Sequence, residues 1–158
     1  MNINVISVGK VKEDYYVRAM AEYEKRMGRF CSFRAVCLPD KAIPDKASEA
    51  QREEIKNAEG AAILKNIGKS DFVIAMCVEG KLLSSEQLAD SLKNIMMRHS
   101  TVDFVIGGSL GLCESVKMRA DMRLSISPMT LPHRLARLVT EEQIYRAFKI
   151  NANEAYHK

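Results

Sequence analysis

The first segment that could do chemistry is rich in glycine. Residues 106–112 read IGGSLGL and lie where a predicted strand gives way to a predicted helix. Glycines allow a backbone to approach a ligand closely and to adopt positive φ angles. The spacing is not G-x-G-x-x-G and no G-K-[ST] follows, which disfavours a dinucleotide-binding loop or a P-loop. Taken alone, a ligand-binding loop and a tight strand-to-helix turn fit this segment equally well.

Two further segments follow predicted strands. Residues 126–133 read ISPMTLPH, with two prolines that stiffen the backbone and two hydroxyl groups, of Ser127 and Thr130, that could bind a ligand. Alone, this segment is most simply a loop that enters a helix. Residues 76–81 read MCVEGK and are predicted to form an ordinary turn after the third apolar strand. If the three segments converge on one cleft, a ligand site becomes the better interpretation.

A fourth segment could contact nucleic acid. Residues 141–149 read EEQIYRAFK, and the chain ends in AYHK. Arg146, Lys149, His157 and Lys158 could bind phosphates, while Tyr156 and His157 could stack on an unpaired base. A solvated helix face followed by a frayed terminus is the alternative interpretation of the same residues.

The composition sets wider limits on the class of protein. The chain has 158 residues, which fits one domain, and its net charge of +4 is compatible with an RNA partner without requiring one. The start lacks the features of a signal peptide, and no apolar run is long enough to cross a membrane, so we expect a cytoplasmic protein. The four cysteines and three histidines are scattered, and we therefore expect no metal site.

Strand and helix patterns alternate along the chain. Apolar runs predict strands at residues 3–9, 32–38, 71–78, 102–106 and 122–127. Helical spacing and capping signals predict helices at residues 14–27, 49–67, 84–98 and 114–120, and a final helix that begins near residue 130. Residues 39–48 (PDKAIPDKAS) are predicted to form a mobile surface loop. The final helix is expected to bury Leu135, Leu138, Val139, Tyr145 and Phe148.

This alternation predicts an α/β fold with a mostly parallel sheet of five to six strands and helices on its faces. Ligands of such sheets bind beyond the carboxyl ends of the strands. The segments at residues 76–81, 106–112 and 126–133 all follow such ends. The fold class therefore supports their convergence on one site.

Together, these segments resemble a known family. FVIGGSLGL, LSISPMTLPHRLARLVTEEQIYRAFKI and AYHK, together with the opening INVISVGKVKEDYYVRAMAEYEKRM, resemble the RlmH family, whose members are SPOUT-class methyltransferases. The resemblance covers essentially the whole chain. It implies a single SPOUT domain over residues 1–158, with a C-terminal trefoil knot, that works as a homodimer. It also implies methylation of N3 of a pseudouridine in 23S rRNA within the assembled ribosome, with S-adenosylmethionine as the methyl donor and no metal.

The resemblance also assigns residues. By position, the cofactor contacts fall on Met76, Gly107, Gly108, Ile126, Ser127, Pro128, Met129, Thr130 and Leu131. Our hypothesis places a second group around the target base and its phosphates, with some members supplied by the partner subunit: His133, Arg146, Tyr156, His157 and Lys158. The chain departs from the family in two ways, since Met76 replaces a frequent leucine and Ala155 replaces a proline found in some members.

Two other functions remain open from the sequence. One is a SPOUT methyltransferase that acts on tRNA or on a ribose hydroxyl, although such enzymes often carry an extra RNA-binding domain. The other is a non-catalytic, ribosome-associated module that binds a nucleotide without turnover. A Rossmann-type dehydrogenase is disfavoured because the glycine fingerprint and its downstream acidic partner are missing.

Overall fold

The computed structural model describes residues 1–156, in which strands and helices alternate. The strands are β1 (Asn2–Val8), β2 (Ser32–Leu38), β3 (Phe72–Leu82), β4 (Thr101–Ile106) and β5 (Met122–Ser125). The helices are α1 (Asp14–Met27), α2 (Glu49–Lys65), α3 (Ser85–Met96), α4 (Glu114–Arg119) and α5 (His133–Asn151). None of these described helices is long and apolar enough to cross a membrane.

The five strands form one sheet in the order β2-β1-β4-β3-β5, and every neighbouring pair is parallel. The predicted α/β fold with a parallel sheet is therefore confirmed. The register places Ile106, at the end of β4, beside Ser7 near the end of β1 and beside Met76 of β3, which itself continues to Leu82. The segment that follows β4 consequently starts at the same level of the sheet as Met76.

Side chains alternate between two apolar cores, one on each face of the sheet. Ile3, Val5 and Phe104 belong to the core that also contains residues of α3 and α5. Ile6 and Val105 belong to the opposite core, which α2 and α4 cover. A strand buried on both faces reads as a continuous apolar run, which explains why β1 and β4 were recognisable in the sequence.

Two helices begin with a capping box, a pair of reciprocal hydrogen bonds at the first turn. The Ser84 hydroxyl accepts a bond from the Gln87 backbone, and the Gln87 side chain accepts one from the Ser84 backbone, which confirms the predicted capping box. Ser48 and Gln51 form the same arrangement at the start of α2. α2 ends at Lys65, earlier than expected, and the Asn66 side chain donates a hydrogen bond to the carbonyl of Ala62 at 2.9 Å.

The third strand differs from its prediction. β3 continues to Leu82, so residues 76–81 lie within a strand and the predicted turn is wrong. The β3–β5 register shifts between Met76 and Lys81, which allows the strand to remain paired beyond the apolar run. A Cβ at Gly80 would lie 2.5 Å from the backbone carbon of Leu124, so this close pairing requires a residue without a side chain.

The buried face of α5 also differs from its prediction. Tyr145 and Phe148 are buried as expected, whereas Leu135, Leu138 and Val139 are only half-buried. The helix instead buries the charged residues Arg137 and Glu141, whose side chains form an ion pair at 2.8 Å. Arg137 also contacts Glu24 of α1 at 3.3 Å. Apolar spacing alone missed this face because it does not register ion pairs, and the pairing of Arg137 with Glu141 on the same helix and with Glu24 of α1 makes the burial acceptable.

Asp103 of β4 is a second buried charge, with no exposed surface. Its Oδ1 accepts a hydrogen bond from the Asn4 side chain at 2.7 Å. Burial raises the pKa of Asp103 to about 6, with the nearby carboxyl group of Asp71 acting in the same direction and the bond from Asn4 in the opposite one. A carboxyl group with a raised pKa holds its proton more tightly in the folded state than in the unfolded chain, so stability falls as pH rises between about 4 and 6.

We predict that Asp103→Asn increases the free energy of unfolding by about 1–2 kcal/mol at pH 8, because the cost of ionising a buried carboxyl disappears. The variant should also lose the decline in stability between about pH 4 and pH 6. Urea unfolding at a series of pH values measures both effects, with the exposed Asp90→Asn as the control. Equal pH dependence in Asp103→Asn and wild type would contradict the assignment.

Candidate functional site

A cleft of about 800 Å³ opens at the carboxyl edge of the sheet. We call it the strand-end cleft. Its walls come from residues 76–79 of β3, the glycine segment (residues 106–112) and the proline segment (residues 126–133). The start of α5 lies beside them. Eight of the nine residues assigned to cofactor binding line it: Met76, Gly107, Gly108, Ile126, Ser127, Met129, Thr130 and Leu131. Pro128 is not among the lining residues.

The glycine segment folds back on itself. The Gly111 amide donates to the Gly108 carbonyl at 3.0 Å, and the two residues form an isolated bridge. Gly111 adopts a φ of +78°, a backbone conformation that favours glycine. A Cβ at Gly107 would lie 2.4 Å from the carbonyl carbon of Gly111. The segment is therefore a tight turn, which was one interpretation of the sequence. Its backbone also faces the cleft, as the other interpretation, a ligand-binding loop, would require.

The proline segment is held by short-range hydrogen bonds. The Ser127 hydroxyl accepts from the Met129 amide at 3.0 Å, and the Ser125 hydroxyl donates to the Ser127 carbonyl at 2.9 Å. Ser127 thus uses its side chain to shape the loop. Met129 remains 72% exposed although it lines the cleft, so its side chain lies at the mouth.

The β3 side of the cleft combines apolar surface with paired charge. Met76, Cys77 and Val78 line it, and burial raises the pKa of the Cys77 thiol, which keeps that group protonated at neutral pH. Glu79 also lines the cleft and forms an ion pair with Lys117 of α4. This ion pair lowers the pKa of Glu79. This wall therefore suits an apolar or aromatic ligand surface.

His133, the first residue of α5, also lines the strand-end cleft. Its Nε2 atom is buried without a hydrogen-bond partner in the described chain, and a Cβ at Gly9 would lie 2.8 Å from it. Burial lowers the pKa of His133, with the Arg134 charge acting in the same direction; the carboxylates of Asp40, Glu59 and Glu13 oppose them. The imidazole is thus favoured in its neutral form, which can accept a proton.

Arg146 and Tyr156 lie in a different group of side chains, which we call the Arg146 cluster: Glu142, Tyr145, Arg146 and Tyr156. The Arg146 guanidinium pairs with Glu142 at 2.6 Å and lies 4.7 Å from the centre of the Tyr156 ring. The Tyr156 hydroxyl donates to Glu142 at 3.2 Å, and its ring meets Tyr145 edge-on. Burial raises the pKa of Tyr156, as do its hydrogen bonds with Tyr23 and Glu142.

The structure therefore separates the residues hypothesised to surround a target base. His133 lies at the strand-end cleft, whereas Arg146 and Tyr156 are absent from its lining. The other two members, His157 and Lys158, lie outside the described residues. Sequence reasoning missed Glu142, which holds this cluster together, although its i,i+4 spacing to Arg146 was a usable signal.

Comparison with known proteins now identifies the class. A family model described as predicted SPOUT methyltransferase matches residues 1–157, so the chain belongs to the SPOUT methyltransferase family. Proteins named ribosomal RNA large subunit methyltransferase H from Clostridium botulinum and Streptococcus equi subsp. zooepidemicus are each 48% identical to it, over 100% of both chains. The protein of that name from Oenococcus oeni is 46% identical, over 100% of this chain and 99% of its own.

A solved structure supports the fold. It is described as that of a probable methylase family protein from Haemophilus influenzae Rd KW20, and it matches with a TM-score of 0.54 at 16% identity. The match covers 99% of this chain and 70% of the other. At this identity the similarity concerns the fold alone. The family resemblance inferred from the sequence is confirmed by the family model and by the full-length relatives.

We predict that Gly107→Ala lowers the free energy of unfolding by about 1–3 kcal/mol, because the added Cβ forces the Gly111 backbone to move. Urea unfolding measures the loss, and Ser109→Ala is the matched control because it changes an exposed side chain of the same segment. Wild-type stability in Gly107→Ala would show that the segment is not packed as described.

Proposed function

We propose that the protein methylates N3 of a pseudouridine in 23S rRNA of the large ribosomal subunit, with S-adenosylmethionine as the methyl donor. The proposal includes a single domain over residues 1–158 with a C-terminal trefoil knot, a homodimer, and action in the cytoplasm on the assembled ribosome. Membership of the SPOUT methyltransferase family and the names of the full-length relatives support it. The observation that carries it is the convergence of residues 76–79 of β3, the glycine segment and the proline segment on one cleft.

The strand-end cleft suits the donor in size and chemistry. Its volume of about 800 Å³ lies within the range of small-molecule sites. The backbone of Gly107 and Gly108 is open to a ligand, and Met76 offers an apolar wall for a purine ring. When bound, S-adenosylmethionine supplies a methyl group already activated on a sulfonium, so the protein must align the acceptor nitrogen and exclude water. This chemistry requires no metal.

The acceptor nitrogen must lose a proton before or during transfer. His133 is a candidate acceptor because it lines the cleft in a form favoured to be neutral. The Arg146 cluster offers a cation and an aromatic ring for the RNA, with Glu142 orienting both. His157 and Lys158 complete the hypothesised group. No single member is assigned here as the general base.

The spacing along α5 supports a site built from two subunits. Arg146 follows His133 by thirteen positions on one helix, which places them about 20 Å apart along its axis at 1.5 Å per residue. One nucleobase cannot touch both side chains of the same chain. In a symmetric dimer, the Arg146 cluster of one subunit can approach the strand-end cleft of the other. This arrangement gives Arg146 and Tyr156 access to the base beside the donor.

A modest net charge is consistent with a large, structured target. The chain carries 24 basic and 20 acidic residues, a net charge of +4. Recognition of a shape presented by the ribosome needs less intrinsic affinity than capture of a free RNA strand, where phosphate contacts supply most of the binding. Strong, specific binding to the isolated stem-loop would count against this part of the proposal.

The defining experiment incubates the protein with radiolabelled S-adenosylmethionine and ribosomes from a strain that lacks the enzyme. We expect label in 23S rRNA, and mass spectrometry should place it on a pseudouridine base. Label in tRNA or on a ribose hydroxyl would support the alternative SPOUT activity. Donor binding in calorimetry without methyl transfer to any RNA would indicate the non-catalytic module.

We predict that Arg146→Ala and Tyr156→Ala each reduce methyl transfer to ribosomes by at least about tenfold, which corresponds to a lost interaction of 1.4 kcal/mol or more. Donor affinity should stay at the wild-type value, because neither residue lines the strand-end cleft of its own chain. Arg18→Ala is the control, since Arg18 forms only an exposed ion pair with Asp14. Normal methyl transfer by both variants would refute the assignment of the Arg146 cluster to the RNA.

A further inference from the structure

Glu59 of α2 is a buried carboxylate with an incomplete set of partners. The residue is only 6% exposed. Its Oε1 atom accepts a hydrogen bond from the backbone amide of Lys41 at 3.1 Å, whereas Oε2 has no hydrogen-bond partner in the described chain. Within residues 1–156, no cationic side chain forms a salt bridge with it. Burial of an unpaired carboxylate is costly, so its presence calls for an explanation.

The unpartnered oxygen lies directly against the glycine segment. A Cβ at Gly108 would be 2.9 Å from Oε2 of Glu59 and 3.2 Å from Val8. Gly108 lines the strand-end cleft, and only its missing side chain allows the carboxylate to come this close. Glu59 therefore places its negative charge immediately behind the floor of the cleft, where no side chain intervenes at Gly108.

Other charges around the strand-end cleft are compensated. Lys56 and Lys117 both line it, and they form ion pairs with Glu53 and Glu79, respectively. Arg134 forms an ion pair with Glu13. His133 favours its neutral form. Among these charges, Glu59 is the buried one for which the described residues supply no ion-pair partner, and a cationic ligand in the cleft would compensate it.

We propose that Glu59 is a specificity-determining residue that favours a methyl donor with a cationic sulfonium over the product with a neutral sulfur. The inference rests on the proposed function and deepens it. In methyl transfer, the bond between methyl carbon and sulfur breaks with its electron pair left on sulfur. A bond between that carbon and the acceptor nitrogen forms, and the nitrogen's proton passes to a base. The ligand therefore loses its sulfonium charge in the reaction.

This charge loss distinguishes donor from product although the two molecules are nearly the same in size and shape. S-adenosylmethionine and S-adenosylhomocysteine share the purine, ribose, amino and carboxyl groups, and they differ in one methyl group and one positive charge. A carboxylate in a poorly screened environment attracts the sulfonium across several ångströms, so direct contact is not needed. Glu59 would thus strengthen binding of the donor, and this attraction would be lost when the neutral product forms at each turnover.

The test is isothermal calorimetry on full-length wild type, Glu59→Gln and the control Glu54→Gln, which removes a charge from an exposed position of the same helix. The ligands are S-adenosylmethionine, S-adenosylhomocysteine and an analogue with a protonated amine in place of the sulfonium. We expect Glu59→Gln to reduce the preference for the two cationic ligands over the product by roughly tenfold, and Glu54→Gln to leave it unchanged. An unchanged preference in Glu59→Gln would overturn the proposal.

Two further measurements separate electrostatics from folding. Glu59→Asp keeps the charge, so it should retain the preference even if both affinities fall, and loss of the preference there would contradict the proposal. Wild type itself must bind the cationic ligands more tightly than the product, and equal affinities would refute the idea without any variant. If wild type binds the donor and methylates rRNA while these ratios fail, only the role of Glu59 is wrong. If it binds no donor, the proposed function fails as well.

Discussion

The parallel, aligned pairing of β4 with both of its neighbours is the constraint on which the site depends. Ile106 pairs with Ser7 on one side and with Met76 on the other, so the end of β4 lies level with the end of β1 and with Met76 of β3. β4 is buried along nearly its whole length, which leaves little freedom to slide. A one-residue slip would exchange the two apolar cores. The packing of β4 in the core therefore fixes the position at which the glycine segment leaves the sheet.

Two close backbone contacts then turn that edge into a cleft. Gly80 allows β3 to approach the backbone of Leu124 closely, so β5 pairs with β3 at the edge of the sheet. The proline segment follows β5 and lines the cleft from there. Gly107 brings the glycine segment against Gly111. In both places the absence of a side chain permits the contact. Rigid loops at these positions form a preorganised wall, which reduces the entropy lost when a ligand binds.

Sequence patterns were sufficient where the responsible forces are local. The five strands, the bounds of α1 and the capping box at Ser84 depend on neighbouring residues, and all were predicted. The strand continuation through Gly80 depends on β5, and the burial of Arg137 depends in part on Glu24 of α1; both partners lie far along the chain, and both features were missed. The glycine and proline segments of the site were predicted by the rule for parallel sheets, whereas residues 76–81 are part of β3 rather than a turn after it. The role of Glu59 was invisible, since only the folded chain brings it against Gly108.

α5 carries both His133 and the Arg146 cluster. Along the helix, His133 and Arg146 lie on opposite sides of the buried pair formed by Arg137 and Glu141, and Arg137 also contacts Glu24 of α1. Burial raises the pKa of Glu141 to about 7 even though the Arg137 charge lowers it, and its Oε2 atom has no partner in the described chain. Such a pair contributes little net stability, and because both residues lie on α5 it would survive a shift of the helix. The contact of Arg137 with Glu24 of α1 would not survive such a shift, so this contact helps to fix where His133 meets the cleft.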